Sequence, residues 1–390
     1  MRRVLQSDLV LDKPLPWSIY DEEGNLLLRQ GYVISIPRHL SSLLERGAYV
    51  QTSVDARPAL SNAAPAAGSD SDYVFRSKAL PAVQPVFGRA EALAQTLKRL
   101  HAHLQAQTLQ AELRTIVRSL AHSLLQACAE DADALLAAFH LDRQSPYLVI
   151  QQLLGCVFTE IAARELGLDA GTRLSLACAS LTRDIALLPW QAQLDMQTHG
   201  LDAQQNALIR SHPTRSAEIL REMGVDDPLW LELVRQHHER IDGSGYPNAL
   251  RGDGILPGAR LLAIADSYAA MVTPRANRSG KFPKEALKAL YLQRAVLYDE
   301  ELLRLAVGAV TTLPPGTMVR LANDELGVIR TRQKKDQPHD VWALYDKNGM
   351  PIMTPVRRDP REPAYAITGV VRVEECRSAA LLMKRLWTHL

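Results

Sequence analysis

The chain has 390 residues, with 45 Lys and Arg against 43 Asp and Glu, a net charge of +2, 47% hydrophobic residues and 5% aromatics. That length suggests about two or three domains with cores of Leu, Ala, Val and Ile. The small net charge argues against a nucleic-acid partner, while an arginine surplus remains for a small anionic ligand. The four cysteines, Cys128, Cys156, Cys178 and Cys376, show no metal-ligand spacing and read as reduced, buried apolar residues.

In chain order, residues 1–52 read as a small β-rich unit. The apolar run at the N-terminus is short and interrupted by Asp8 and Asp12, so no signal peptide is expected there. "WSIYDEEGNLLLRQGYVIS" reads as strand, turn, strand, and "RHLSSLLERGAYV" as a short helix stopped by Gly47. Residues 53–82 form a linker of Pro, Ala, Gly and Ser without apolar periodicity. Residues 83–312 repeat apolar positions at three- and four-residue spacing and predict amphipathic helices almost throughout. Residues 313–390 return to strand patterns, "GTMVRLANDELGVIR" and "VWALYDKNGMPIM", with Asn-Asp and Lys-Asn-Gly turns, and close on a helix, "SAALLMKRLWTHL". No apolar stretch reaches the ~20 residues of a membrane span. The expectation is a soluble, cytoplasmic, mainly α protein with a small β-rich region at each end.

The chemistry concentrates in the helical region. "HHERIDGSGYP" at 237–247 places His237 and His238 at the end of an amphipathic helix, before a glycine-rich turn. Adjacent helical residues diverge by about 100°. The pair therefore suggests two ions, or one ion and a substrate contact, rather than shared chelation. Upstream, His212 is expected to end one helix, with Pro213 beginning the next. Asp266 in "ARLLAIADSYAAM" and Asp184 in "LSLACASLTRDIALLP" interrupt apolar helices. A carboxylate there is costly unless it is paired or binds metal. Taken singly, each of these has an ordinary reading as a hydrogen-bonded structural histidine or an Asp that caps a helix or pairs with Arg.

Together the residues resemble a known family. "HHERIDGSGYPNALRGDGILPGARLLAIADSYAAMVTPRANR" is similar to the signature of the HD-GYP domain, a helical branch of the HD phosphohydrolase superfamily. The likeness spans roughly 135–310, and the N-terminal "DEEGNLLLRQG" resembles the short domain that often precedes HD-GYP domains in bacteria. The resemblance implies an HD-type helical bundle and hydrolysis of cyclic di-GMP on two or three iron or manganese ions. It assigns metal ligation to Asp184, His212, His237, His238 and Asp266, with Asp184 the catalytic, bridging carboxylate. It assigns substrate contact to Tyr246, Arg275 and Arg278, and makes the GYP loop a surface for protein partners such as diguanylate cyclase domains. A homodimer is left open.

The sequence departs from that pattern at one end of the site. Arg183 stands where the HD histidine belongs, Leu187 replaces the following lysine, Gln151 aligns with the early histidine, and a glutamate found in some members falls near Tyr147. These departures imply a degenerate centre that holds one divalent ion, or none, with hydrolysis weakened or lost. The alternative is a non-catalytic cyclic di-GMP-binding or protein-interaction module. Two further basic stretches, Arg357 with Arg361 and "RTRQKKDQ" at 330–337, read as solvated turns.

Overall fold

The computed structural model describes residues 85–376 apart from 110, 111, 276 and 277, residues 379–388, and, nearer the N-terminus, 2–4, 8–10, 13, 15–20, 26–28, 34 and 48–50. The expected linker, the 21–25 turn and most of the short helix ending at Gly47 lie outside the described residues. The chain divides into two compact units. One comprises Met1–Lys78, Val319–Gly327 and Trp342–Leu386. The other comprises Ala79–Met318, Val328–Val341 and Trp387–Leu390.

The second unit is helical. Its helices are α1 (Val86–Gln105), α2 (Leu113–Leu141), α3 (Tyr147–Glu165), α4 (Ala170–Thr182), α5 (Gln191–Met196), α6 (Ala203–Glu222), α7 (Pro228–Gln236), α8 (Pro257–Val272), α9 (Pro283–Leu292) and α10 (Glu300–Val310). Helix α3 is the axis. Every residue from Leu148 to Ala163 is buried, Gln151, Gln152, Thr159 and Glu160 among mostly apolar side chains, and α2, α4, α8 and α10 pack around it. Cys128, Cys156 and Cys178 are sealed in this core. Burial pushes the Cys178 thiol up to about 12.

Short polar residues set the helix starts. The side chains of Asp169, Asp202, Asp227 and Asp299 accept backbone N–H groups of α4, α6, α7 and α10, satisfying donors that have no partner in the first turn. Pro228 and Pro257 occupy first-turn positions. At Asp131 the backbone of α2 leaves helical geometry, and its carboxylate accepts the Ala134 N–H at 2.9 Å. The long predicted helix is therefore kinked and recapped within its length.

The first unit is β-rich. Strands β1 (Arg2–Arg3), β2 (Ile19–Tyr20), β3 (Leu26–Leu28) and β4 (Tyr49–Val50) form a sheet of order β1-β4-β2-β3. Strands β5 (Met318–Leu321), β6 (Leu326–Ile329), β7 (Val341–Tyr345), β8 (Pro351–Arg358) and β9 (Ile367–Val371) form a second sheet of order β8-β7-β6-β5-β9, followed by α11 (Ala379–Thr388). The expected turns are present, with Asp324 and Gly349 at positive φ of 68° and 75°. Met350 belongs to the same buried cluster as Val4, Leu15, Ile19, Leu28 and Val50. The two terminal β regions, read separately from the sequence, thus share a core. Strands of two or three residues bury too little surface to stand alone.

Candidate metal centre

Helices α4, α6 and α7 bring four donors to one point. Asp184 follows the end of α4, where Arg183 is the C-cap and a 3-10 turn, Ile185–Trp190, begins. His212 lies inside α6. His237 caps the C-terminus of α7 and His238 follows it. Ligand atoms of Asp184, His212, His237 and His238 all lie within 4.8 Å of one another. Asp184 Oδ1 is 3.4 Å from His212 Nε2 and 4.0 Å from His237 Nε2. Because α7 stops at Gln236, the adjacent histidines escape helical divergence. Their ring centroids are 4.1 Å apart, so the expectation that they could not share one ion is corrected.

Helix α6 also differs from expectation. It runs unbroken through Pro213, and the reason lies in its hydrogen bonds. Proline has no N–H for the carbonyl four residues earlier, that of Ile209. His212 Nδ1 lies 2.6 Å from that oxygen and donates to it. His237 Nδ1 likewise donates to Val234 O at 2.6 Å, a last-turn carbonyl without a helical partner. A carbonyl only accepts, so Nδ1 of each ring carries a proton, and Nε2 is the ligand atom that faces the cluster. Those two Nε2 atoms are 3.2 Å apart beside a carboxylate. Ligand atoms so close suit a shared cation, and the donor set fits one divalent ion. Burial, followed by the neighbouring His212, brings the His237 imidazole down to about 4. Burial and the adjacent rings of His237 and His212 hold His238 well below its ordinary value. Both imidazoles are therefore neutral near pH 7, as metal ligation requires.

Asp266, on α8, stands outside this group of four. Its Oδ1 is 2.8 Å from Arg183 Nη2 and 3.0 Å from Arg183 Nε, and it also accepts from Gln151 Nε2. Arg183 Nε is 3.4 Å from Asp184 Oδ2. The Arg183 side chain is 0% exposed, and its Nη1 donates to the Ser180 carbonyl. Burial alone would raise the Asp184 carboxyl. The charge of the neighbouring Arg183 guanidinium leads the opposing causes, and Asp184 is held far below the usual carboxylate range. The Arg183 guanidinium fills the space between Asp184 and Asp266, and from Gln151 an amide faces Asp266.

Further residues brace the site. Gln152 Nε2 donates to Asp184 Oδ2 at 3.3 Å, while its Oε1 is 3.0 Å from His101 Nε2. Buried Glu239 accepts the N–H groups of Asn248 and Leu250 at 2.7 and 2.9 Å. It thereby ties down the glycine-rich loop, in which a side chain at Gly245 would run into the backbone of Glu239 and Arg240. Tyr246 lies 4.7 Å, centroid to centroid, from His238. Arg275 donates to the Tyr147 hydroxyl at 2.9 Å with its Cζ 4.3 Å over that ring, and Arg278 donates to Ala270 O at 2.7 Å. Sequence reasoning missed Gln152, His101 and Glu239. The signal available was three polar side chains on otherwise buried surfaces. Of the two basic stretches read as solvated turns, Arg361 pairs with Asp359 within its own turn, whereas Arg332 is half-buried and reaches Asp133 on α2. Among the described residues, no helix is long and apolar enough to cross a membrane.

A family model described as an HD domain matches residues 141–302. Over 197 residues the chain is 29% identical to the cyclic di-GMP phosphodiesterase PA4108 of Pseudomonas aeruginosa, covering 50% of this chain and 47% of that protein. Over 128 residues it is 31% identical to the 3'3'-cGAMP-specific phosphodiesterase 1 of Vibrio cholerae, covering 33% of this chain and 30% of that one. Among solved structures, Bd1817, an HDG"Y"P protein from Bdellovibrio bacteriovorus, aligns with 78% of this chain and 97% of its own at 17% identity and a TM-score of 0.49. The chain spans about half or less of the length of the curated relatives it matches. The HD-domain match over 141–302 and the sequence relatives show that this part of the chain is similar to HD-domain phosphodiesterases, in keeping with the signature at 237–278.

Proposed function

We propose that the chain is a cyclic di-GMP signalling protein that holds one divalent ion, iron or manganese, and binds the cyclic dinucleotide while hydrolysing it weakly or not at all. The observation that carries this reading is the Arg183 guanidinium, buried between Asp184 and Asp266 at 3.4 and 2.8 Å. Two carboxylates and one guanidinium leave the pocket one negative charge. One divalent ion takes that to plus one, and a second would take it to plus three in a buried space, which is strongly unfavourable.

The ion held by Asp184, His212, His237 and His238 would act as a Lewis acid on a phosphodiester oxygen. Asp184 would share the ion with both imidazoles through its Oδ1, while its other oxygen faces Arg183 and Gln152. Arg183 supplies positive charge toward the phosphate position but, permanently protonated, cannot take a proton from an attacking water. The loss of the two-ion clamp is expected to reduce the rate by orders of magnitude.

The test is metal analysis of the full chain together with timed turnover of cyclic di-GMP. About one ion per chain, lost in His212→Ala, with binding but little or no turnover, supports the reading. Two ions per chain with steady hydrolysis would overturn it.

A further inference from the structure

The two arginines that the resemblance assigns to phosphate are already engaged, Arg275 with Tyr147 and Arg278 with the Ala270 carbonyl. A third arginine beside the imidazoles is not. Arg210 lies on α6, two residues before His212, and is exposed. Its Cζ stands 5.2 Å from the centroid of the Tyr246 ring. That ring lies 4.7 Å from the ring of His238 and 6.4 Å from that of His212. Among the described residues, no carboxylate or carbonyl receives the Arg210 guanidinium. Farther along the same helix, Arg215 is paired with Glu218 and Glu222. An arginine held over an aromatic face is oriented by that contact yet keeps its N–H donors available.

We propose that Arg210 is the anion-binding residue of this site. Its guanidinium takes a phosphate of the cyclic dinucleotide, and the Tyr246 ring holds the guanidinium in place beside the histidine cluster. The inference rests on the function proposed above and names the group that recognises the ligand. Arg210 donates nothing to the ion, so its removal leaves the metal site intact.

The experiment is calorimetric titration of the metal-loaded full chain with cyclic di-GMP at low and moderate salt. Loss of a charge-assisted hydrogen bond in Arg210→Ala is expected to weaken binding by about tenfold and to flatten its salt dependence, with metal content unchanged. Arg210→Lys should recover part of the affinity, and Arg215→Ala should bind as the parent does. Equal affinity in Arg210→Ala and the parent overturns the inference and leaves the proposed function standing. A fall in metal content in Arg210→Ala also overturns it, by making Arg210 a support of the histidine site. Failure of the parent chain to bind cyclic di-GMP overturns both.

Discussion

Arg183 is the residue on which the centre turns. A fully buried guanidinium is tolerated because Asp266 accepts from its Nε and the Ser180 carbonyl from its Nη1, with Asp184 3.4 Å away as a second counter-charge. Removing it should therefore cost more than the pair contributes, since two buried carboxylates are left facing each other. In Arg183→Met, metal-free protein is expected to lose roughly 3–5 kcal/mol in a urea melt. Added manganese should restore part of that loss by taking the guanidinium's place; an unchanged midpoint would refute the neutralising role. The converse substitution tests the missing imidazoles: Arg183→His with Gln151→His should raise the metal content from about one to about two ions per chain, read by elemental analysis. Asp184, His212, His237 and His238 could be picked out from sequence because imidazole and carboxylate groups announce their own chemistry. The partner of Asp266 could not be fixed that way. Gln152 and His101 were invisible for a different reason: an amide or a lone histidine on an apolar helix looks the same whether it orients a ligand or fills a core.

At the scale of the element, α6 and α7 use helix irregularities to aim their histidines. Pro213 takes away one backbone donor, and the Ile209 carbonyl it frees fixes the His212 ring. Restoring that donor with Pro213→Ala introduces a competitor for the same oxygen. Helix α6 is expected to gain stability, because an interior proline is unfavourable. Metal affinity is expected to fall, by up to about tenfold, because the ring loses its orienting bond. Metal-competition titration measures this, and unchanged affinity would show that Ile209 does not govern the ring. The helices themselves were readable from apolar spacing and Asp or Pro start signals. The break expected at Pro213 was not found, because a proline ends a helix only when its orphaned carbonyl has no other donor, and the neighbouring side chain supplied one. The divergence expected of His237 and His238 failed for a related reason: the helix ends before them, and its last carbonyls are free to hold a ring.

For the molecule as a whole, His140 links the helical core to solution pH. Its Nδ1 donates to Pro315 O at 3.1 Å and its Nε2 meets the Tyr268 hydroxyl at 2.8 Å. Burial brings its imidazole from 6.5 down to about 4. The unfolded chain therefore binds this proton more readily. Its contribution to stability is complete above about pH 6.5 and drains away as pH falls toward 4, by roughly 1.4 kcal/mol per unit. Urea melts across that window should show a decline to which the other buried imidazoles add, and His140→Gln should lessen its slope by about 1.4 kcal/mol per unit; identical slopes would exclude His140 as a source. The shared core of the terminal β regions was beyond the sequence, since the packing of Met350 against side chains between Val4 and Val50 leaves no local pattern. The three thiols of the helical core have a consequence of their own. Cys128 on α2, Cys156 on α3 and Cys178 on α4 sit out of reach of water, with acidities too weak for alkylating reagents to find a thiolate. Each covalent adduct would thus record a moment when the bundle had breathed open around the central helix, which gives the native chain a built-in clock for its rarest excursions.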